Sequence, residues 1–277
     1  MVQRKMKRAS LSLHHLTAMD VGARELVSLA AQAGCEDVCL FTYMPAGFRH
    51  KYPLVDAQDV KPLIAEMKRR SVGCLSLEVF PLTRDADFAA MEDGLAIGAE
   101  LGARHATVHS HLADIGQARD ALGRLSEIAG KYAIRLGVEF NPFSKVTTLA
   151  QAGELIAPLG LGAIGIVLDT LHAARSGVRP ADIAAARDCI DFVQISDGPA
   201  SIDEAGKWEE AMHSRMVPGS GELPLAAMLQ AFPSALSVSI EVPHAAANPA
   251  ARVNGAVTAS RQILLAAGYA VGPDSPG

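Results

Sequence analysis

Short apolar runs alternate along the chain with Ala/Leu-rich stretches in which apolar residues recur every three or four positions. A strand sets alternate side chains on one face, whereas a helix gathers every third or fourth, so this alternation is the mark of repeated βα units. It predicts strands at 9–15, 37–42, 72–80, 105–109, 134–140, 164–169, 192–196 and 236–242. Helices are predicted at 20–33, 60–70, 85–101, 117–132, 149–159, 180–187, 225–232 and 250–267. Leu122, Leu125, Ile128 and Ala129 carry the helical spacing, and Gly34 and Gly102 stand where a C-cap would close a helix before the next strand.

Eight βα units with no Pro/Gly/Ser-rich linker predict one α/β domain over residues 1–277, a single (β/α)8 TIM barrel. A doubly wound open sheet is the alternative. It is disfavoured because the first strand-to-helix junction, at 14–20, has no G-x-G-x-x-G, and the chain contains no G-x-x-x-x-G-K-[ST].

Composition narrows the function. With 277 residues, 49% hydrophobic and 20% charged, the chain can bury a large core and needs neither disulfides nor a structural metal, so any metal would serve chemistry. The formal charge of −5 opposes a nucleic-acid track, and the basic cluster Arg4, Lys5, Lys7, Arg8 reads as a solvated terminus. Cys35, Cys39, Cys74 and Cys189 show no C-x-x-C spacing, and three lie in strand-like segments, as thiols in a reducing compartment would. No run is apolar for the length that spans a bilayer, and the basic start lacks a signal-like apolar stretch, so the expectation is a cytoplasmic protein without membrane partners. Assembly into a homo-oligomer is left open.

In a TIM barrel the chemistry lies where the strands end. Those ends carry His14-His15, His109-Ser110-His111, Glu139 of GVEFNPF, Asp169 of GIVLDTLH, Gln194 and Asp197 of FVQISD, and Glu241 of SIEVP. An apolar strand gains no stability from a buried unpaired acid, and converging carboxylates repel unless a cation neutralises them. Glu139, Asp169, Gln194 and Glu241 therefore form a candidate site for one divalent metal. The oxygen donors suit Mn²⁺ or Mg²⁺ before Co²⁺ or Zn²⁺. His172, three residues after Asp169, is the first choice for a proton carrier, and His109 and His111, two apart, would share a face. Arg215, in the glycine-rich segment 213–222, is read as a clamp for a substrate anion. His14 and His111 are read as substrate-lining.

VEF, then LDTLH, then a polar seventh strand with R-x-x-P-G-x-G, then IEVP, taken in order, resemble the xylose isomerase-like TIM barrel superfamily of sugar phosphate isomerases and epimerases. The resemblance implies one divalent metal held by Glu, Asp, His and Glu, matching Glu139, Asp169, Gln194 and Glu241, with the two glutamates also acting as bases. Gln194 is the departure. Together with D-x-x-H and Arg215 it is similar to bacterial 3-dehydroshikimate dehydratases of the same fold. The expected function is isomerisation or epimerisation of a small sugar, keto-polyol or phosphorylated derivative through an enediolate-type intermediate, with Glu139, Glu241, His172 and His109 catalytic. Dehydration of a cyclic hydroxy-keto acid is the alternative. An endonuclease IV-like nuclease, or a barrel that only binds, ranks behind both.

Overall fold

The computed structural model describes residues 6–160, 162–243 and 248–272; Arg4 and Lys5 of the basic cluster lie outside them. The first half runs β1 (Lys7–His14), α1 (Ala23–Ala33), β2 (Asp37–Phe41), α2 (Val60–Arg70), β3 (Gly73–Leu82), α3 (Phe88–Glu100), β4 (His105–Ser110), α4 (Ile115–Gly130). It continues with β5 (Arg135–Glu139), α5 (Leu149–Ile156), β6 (Ile164–Asp169), α6 (Thr170–Arg175), α7 (Pro180–Ala186) and β7 (Ile190–Ile195). The last elements are α8 (Lys207–His213), α9 (Leu225–Gln230), β8 (Leu236–Ile240), α10 (Pro249–Ala266) and β9 (Tyr269–Val271). Strands β1 to β8 are parallel and pair in chain order, and β1 closes the ring by pairing with both β2 and β8. The fold is the expected (β/α)8 barrel.

The helices pack their apolar stripes on the outside of the sheet. In α4, Leu122, Leu125, Ile128 and Ala129 are buried together, as their spacing requires. Gly34 ends α1 at φ +76°, a conformation open to glycine at no steric cost, and its N–H reaches the Ala30 and Ala31 carbonyls. Gly98 lets α3 lie against β3, since a Cβ there would fall 2.1 Å from Leu77 Cδ1. No helix among the described residues is long and apolar enough to cross a membrane.

Several boundaries differ from the periodicity, each for a local reason. β1 stops at His14, not 15, because the His14 ring caps a 3-10 turn, Nδ1 accepting the Leu16 N–H at 3.1 Å. α3 begins at Phe88, not 85, where Asp87 caps the Ala90 N–H at 3.1 Å. β8 ends at Ile240, so Glu241 lies just beyond it. Three elements were not predicted: α6, α8 in the connection after β7, and β9, which pairs with the start of β1.

Candidate active site

Inside the barrel, Cys39, Leu75, Val167 and Phe192 form an apolar plug separate from the outer core. Above it the period of two in each strand lifts a polar residue to the same height. Asp169 follows Val167 in this way, and Gln194 follows Phe192. Glu139 stands two residues above Gly137, where a Cβ would meet Val167 Cγ2 at 2.5 Å. Ser12 and Ser239 hydrogen-bond to the Cys39 thiol, and His14 and Glu241 lie two residues above them. Packing forces the strands to be apolar outward and at plug level, and leaves their ends free for chemistry.

Glu139, Asp169 and His172 offer ligand atoms within 4.8 Å of one another, all buried. His172 Nε2 is 4.0 Å from Glu139 Oε1, and the other Glu139 oxygen pairs with His109 Nε2. Asp169 Oδ1 accepts the His172 N–H at 3.0 Å, capping α6, so the carboxylate fixes the helix that carries the histidine. Gln194 is buried, and its Oε1 has no hydrogen-bond partner. Glu241 stands apart from the trio.

Between Glu241 and Asp169 lies Arg215. Its guanidinium pairs with Asp169 Oδ2, reaches Glu241 Oε1 at 2.9 Å and donates to Ser196 Oγ at 3.2 Å, while Nε donates to the Ala211 carbonyl at 2.8 Å. Only 3% of Arg215 is exposed. The structure thus places this residue at the centre of the acids, not on a solvated loop, and its fork is engaged by them. Asp197 makes this placement stable: its carboxylate accepts the N–H groups of Gly198, Gly219, Gly221 and Leu223. A Cβ at Gly221 would fall 2.4 Å from that carboxylate and from the Gly198 carbonyl, so the loop needs glycine there.

His14 and His111 both line the same cavity as the acids; His111 is exposed, with its ring centroid 6.5 Å from that of His109. Sequence reasoning missed Glu78. It is buried near His14 Nε2, at 3.5 Å, and accepts from Thr107 Oγ1 at 2.8 Å and Ser76 Oγ at 3.2 Å. Leu77 pairs with Ala106 but Phe80 with Val108, so β3 carries an extra residue at this point. Such a bulge re-aims a side chain. The available signal was that Leu77 and Phe80, three apart, are both apolar, a spacing a regular strand cannot put on one face.

Charge is distributed unevenly. Burial disfavours a charged Glu139, but the His109 and His172 imidazoles beside it hold it below the usual carboxylate range; His109 is raised by the same pairing against its burial. Asp169 is likewise buried and is held low by Arg215. Glu241 differs: burial pushes it up to about 7, the Arg215 and His14 charges offsetting only part. Burial also lowers His172, which is therefore neutral at pH 7. Two carboxylates stay ionised while a third exchanges its proton near neutrality, a division that suits acid/base work.

The cavity over these groups is about 450 Å³, walled by Phe41, Met44, Phe143 and Trp208. A second cavity of about 640 Å³ adjoins its mouth, shares Leu16, Phe48, Tyr52, Trp208 and Met212 with it, and contains none of the acids. The cavity of about 450 Å³ is therefore the candidate site.

A family model described as xylose isomerase-like TIM barrel matches residues 27–261. The chain belongs to this family. Over 112 residues it is 31% identical to an inosose isomerase of Halalkalibacterium halodurans, a match spanning 40% of this chain and 39% of that protein. The barrel superposes on the zinc-bound IolI protein with TM-score 0.79 at 18% identity, covering 92% of this chain and 98% of that one. It superposes on AsbF of Bacillus anthracis, a probable 3-DHS dehydratase, with TM-score 0.72 at 13% identity, covering 90% and 97%. For the xylose isomerase-like barrel described here, the donor set fits a divalent cation: clustered carboxylates and an amide oxygen buried without a partner.

Proposed function

We propose that the chain is a divalent-metal-dependent isomerase or epimerase of a small polyhydroxylated carbonyl compound. The observation that carries this reading is that Glu139, Gln194, Glu241 and His172 line one cavity, with Asp169 buried within ligand distance of Glu139 and His172. The inosose isomerase relative supports it. Glu139, Asp169, Gln194 and Glu241 would hold the metal, with His172 beside them. A divalent ion there would polarise a substrate carbonyl and stabilise the negative charge that forms when a neighbouring C–H is deprotonated. Glu241 takes the proton from carbon, and Glu139 serves the opposite face. Neutral His172 moves a proton to and from the oxygens, and the His109–Glu139 pair supplies a second proton.

Arg215 is the one Arg or Lys among the described residues lining the cavity, and Asp169 and Glu241 already occupy it. An uncharged polyol therefore suits the pocket better than a phosphorylated one. Gln194 supports dehydration of a hydroxy-keto acid as the second reading. Metal-loaded protein is incubated in D₂O with ketoses, inososes and 3-dehydroshikimate and followed by NMR. Deuterium entering at carbon without loss of water is the expected result. Loss of water establishes the dehydratase instead, and absence of exchange with every compound overturns both.

A further inference from the structure

Gln194 is an amide whose two ends differ in chemistry, and the structure shows what selects between them. Its Nε2 donates to Glu78 Oε1 at 3.4 Å, while its Oε1 is buried with no partner. Thr107 and Ser76 donate to the same Glu78 oxygen. Because that oxygen already accepts from Thr107 and Ser76, Glu78 takes the NH₂ end of the amide; the opposite flip would set two acceptor oxygens against each other. A buried carbonyl oxygen without a donor is costly, and native proteins keep one where a ligand completes it.

We infer that Glu78 is a positioning residue, delivered by the β3 bulge, which fixes the amide of Gln194 so that Oε1 is presented as a hard oxygen ligand to a divalent cation. This rests on the metal reading above and adds to it how an amide, which could equally present its NH₂ to a cation, becomes a ligand. In Glu78→Gln, Thr107 and Ser76 still donate to a side-chain carbonyl at the Oε1 position, so Gln194 keeps an acceptor, but a neutral one that holds its NH₂ less firmly. Glu78→Asp keeps the charge but withdraws the acceptor by one methylene.

The test is titration of the metal-free protein with Mn²⁺ alone, reading free ion by EPR, with circular dichroism to check that each variant is folded. Glu78→Asp should lower affinity about 10- to 100-fold, as loss of an outer-shell partner does, and Glu78→Gln, which keeps a weaker acceptor there, by less. In a Gln194→Ala background the same changes should cost less than about threefold, because the amide to be oriented is gone. Equal losses in the two backgrounds, or an unaltered affinity in Glu78→Asp, overturn the positioning role while leaving the metal site standing. Absence of Mn²⁺ binding to the parent protein overturns the metal reading and this inference with it.

Discussion

Acid should loosen the mouth of the barrel through His15. This side chain is fully buried, stacks on Phe41 at a centroid distance of 5.8 Å, and donates from Nε2 to the Val21 carbonyl at 3.0 Å. Its Nδ1 has no partner, so a second proton would create a buried charge with nothing to accept it. Burial accordingly pulls His15 down to about 4, from an ordinary 6.5. Between those values the unfolded chain binds more protons than the folded one, so stability rises with pH and is lost as pH falls from 6.5 toward 4. At about 1.4 kcal/mol per pH unit, the whole window removes roughly 3 kcal/mol. His15→Gln retains a donor toward Val21 and does not titrate. It should cost about 1 kcal/mol at pH 7. Urea unfolding followed by circular dichroism, in half-unit steps from pH 7 to pH 4.5, should show the two stabilities converge and the variant overtake the parent. Parallel curves would refute the reasoning, as would an NMR titration placing the His15 ring near its ordinary value.

Gly98→Ala should lower stability by about 1–3 kcal/mol, since its methyl would lie 2.1 Å from Leu77 Cδ1, and a Leu77→Ala second change should return part of the lost Tm. Asp197→Ala leaves four backbone N–H groups without their acceptor and should cost about 2–4 kcal/mol, with turnover falling further because Arg215 loses its mooring; wild-type proteolytic resistance of residues 198–223 would contradict this. Chelation should abolish turnover and Mn²⁺ restore it, while Gln194→His should retain a metal but shift preference toward Zn²⁺ or Co²⁺, measured by competition. His172→Asn should lower kcat by roughly 10² to 10⁴ at unchanged metal content; a normal kcat would leave proton transfer to the glutamates.

The residues legible in the sequence were those whose position needed only periodicity. Glu139 and Asp169 end apolar strands, and Gln194 follows the buried Phe192 by two beyond the irregularity in β7, so counting along each strand found them. Glu78 escaped the same count because a bulge turns β3 by one residue, and a bulge depends on pairing with a neighbour that the local pattern does not contain. α8 escaped too: its place is set by the Arg175 pair with Glu210, at 2.5 Å, and by the Asp197 loop, both contacts across long sequence separations.

What the amino-acid order determines by itself is the fold, because each βα unit must bury its own stripe and eight such units can close only on one another. It also determines which acids stand at regular strand ends, Glu139 and Asp169 among them, whereas Glu78 reaches the site through a bulge set by pairing with a neighbour. Tertiary structure alone decided their electrical roles. Arg215 comes from a loop 46 residues beyond Asp169, yet it pairs with that carboxylate and with Glu241 in a site closed to solvent. Burial lifts Glu241 to about 7, whereas Arg215 and His172 hold Asp169 ionised against the same burial, though both are carboxylates at equivalent strand ends. Charge in a low-dielectric interior depends on what surrounds it in space, and the order of residues does not state that until the chain has folded.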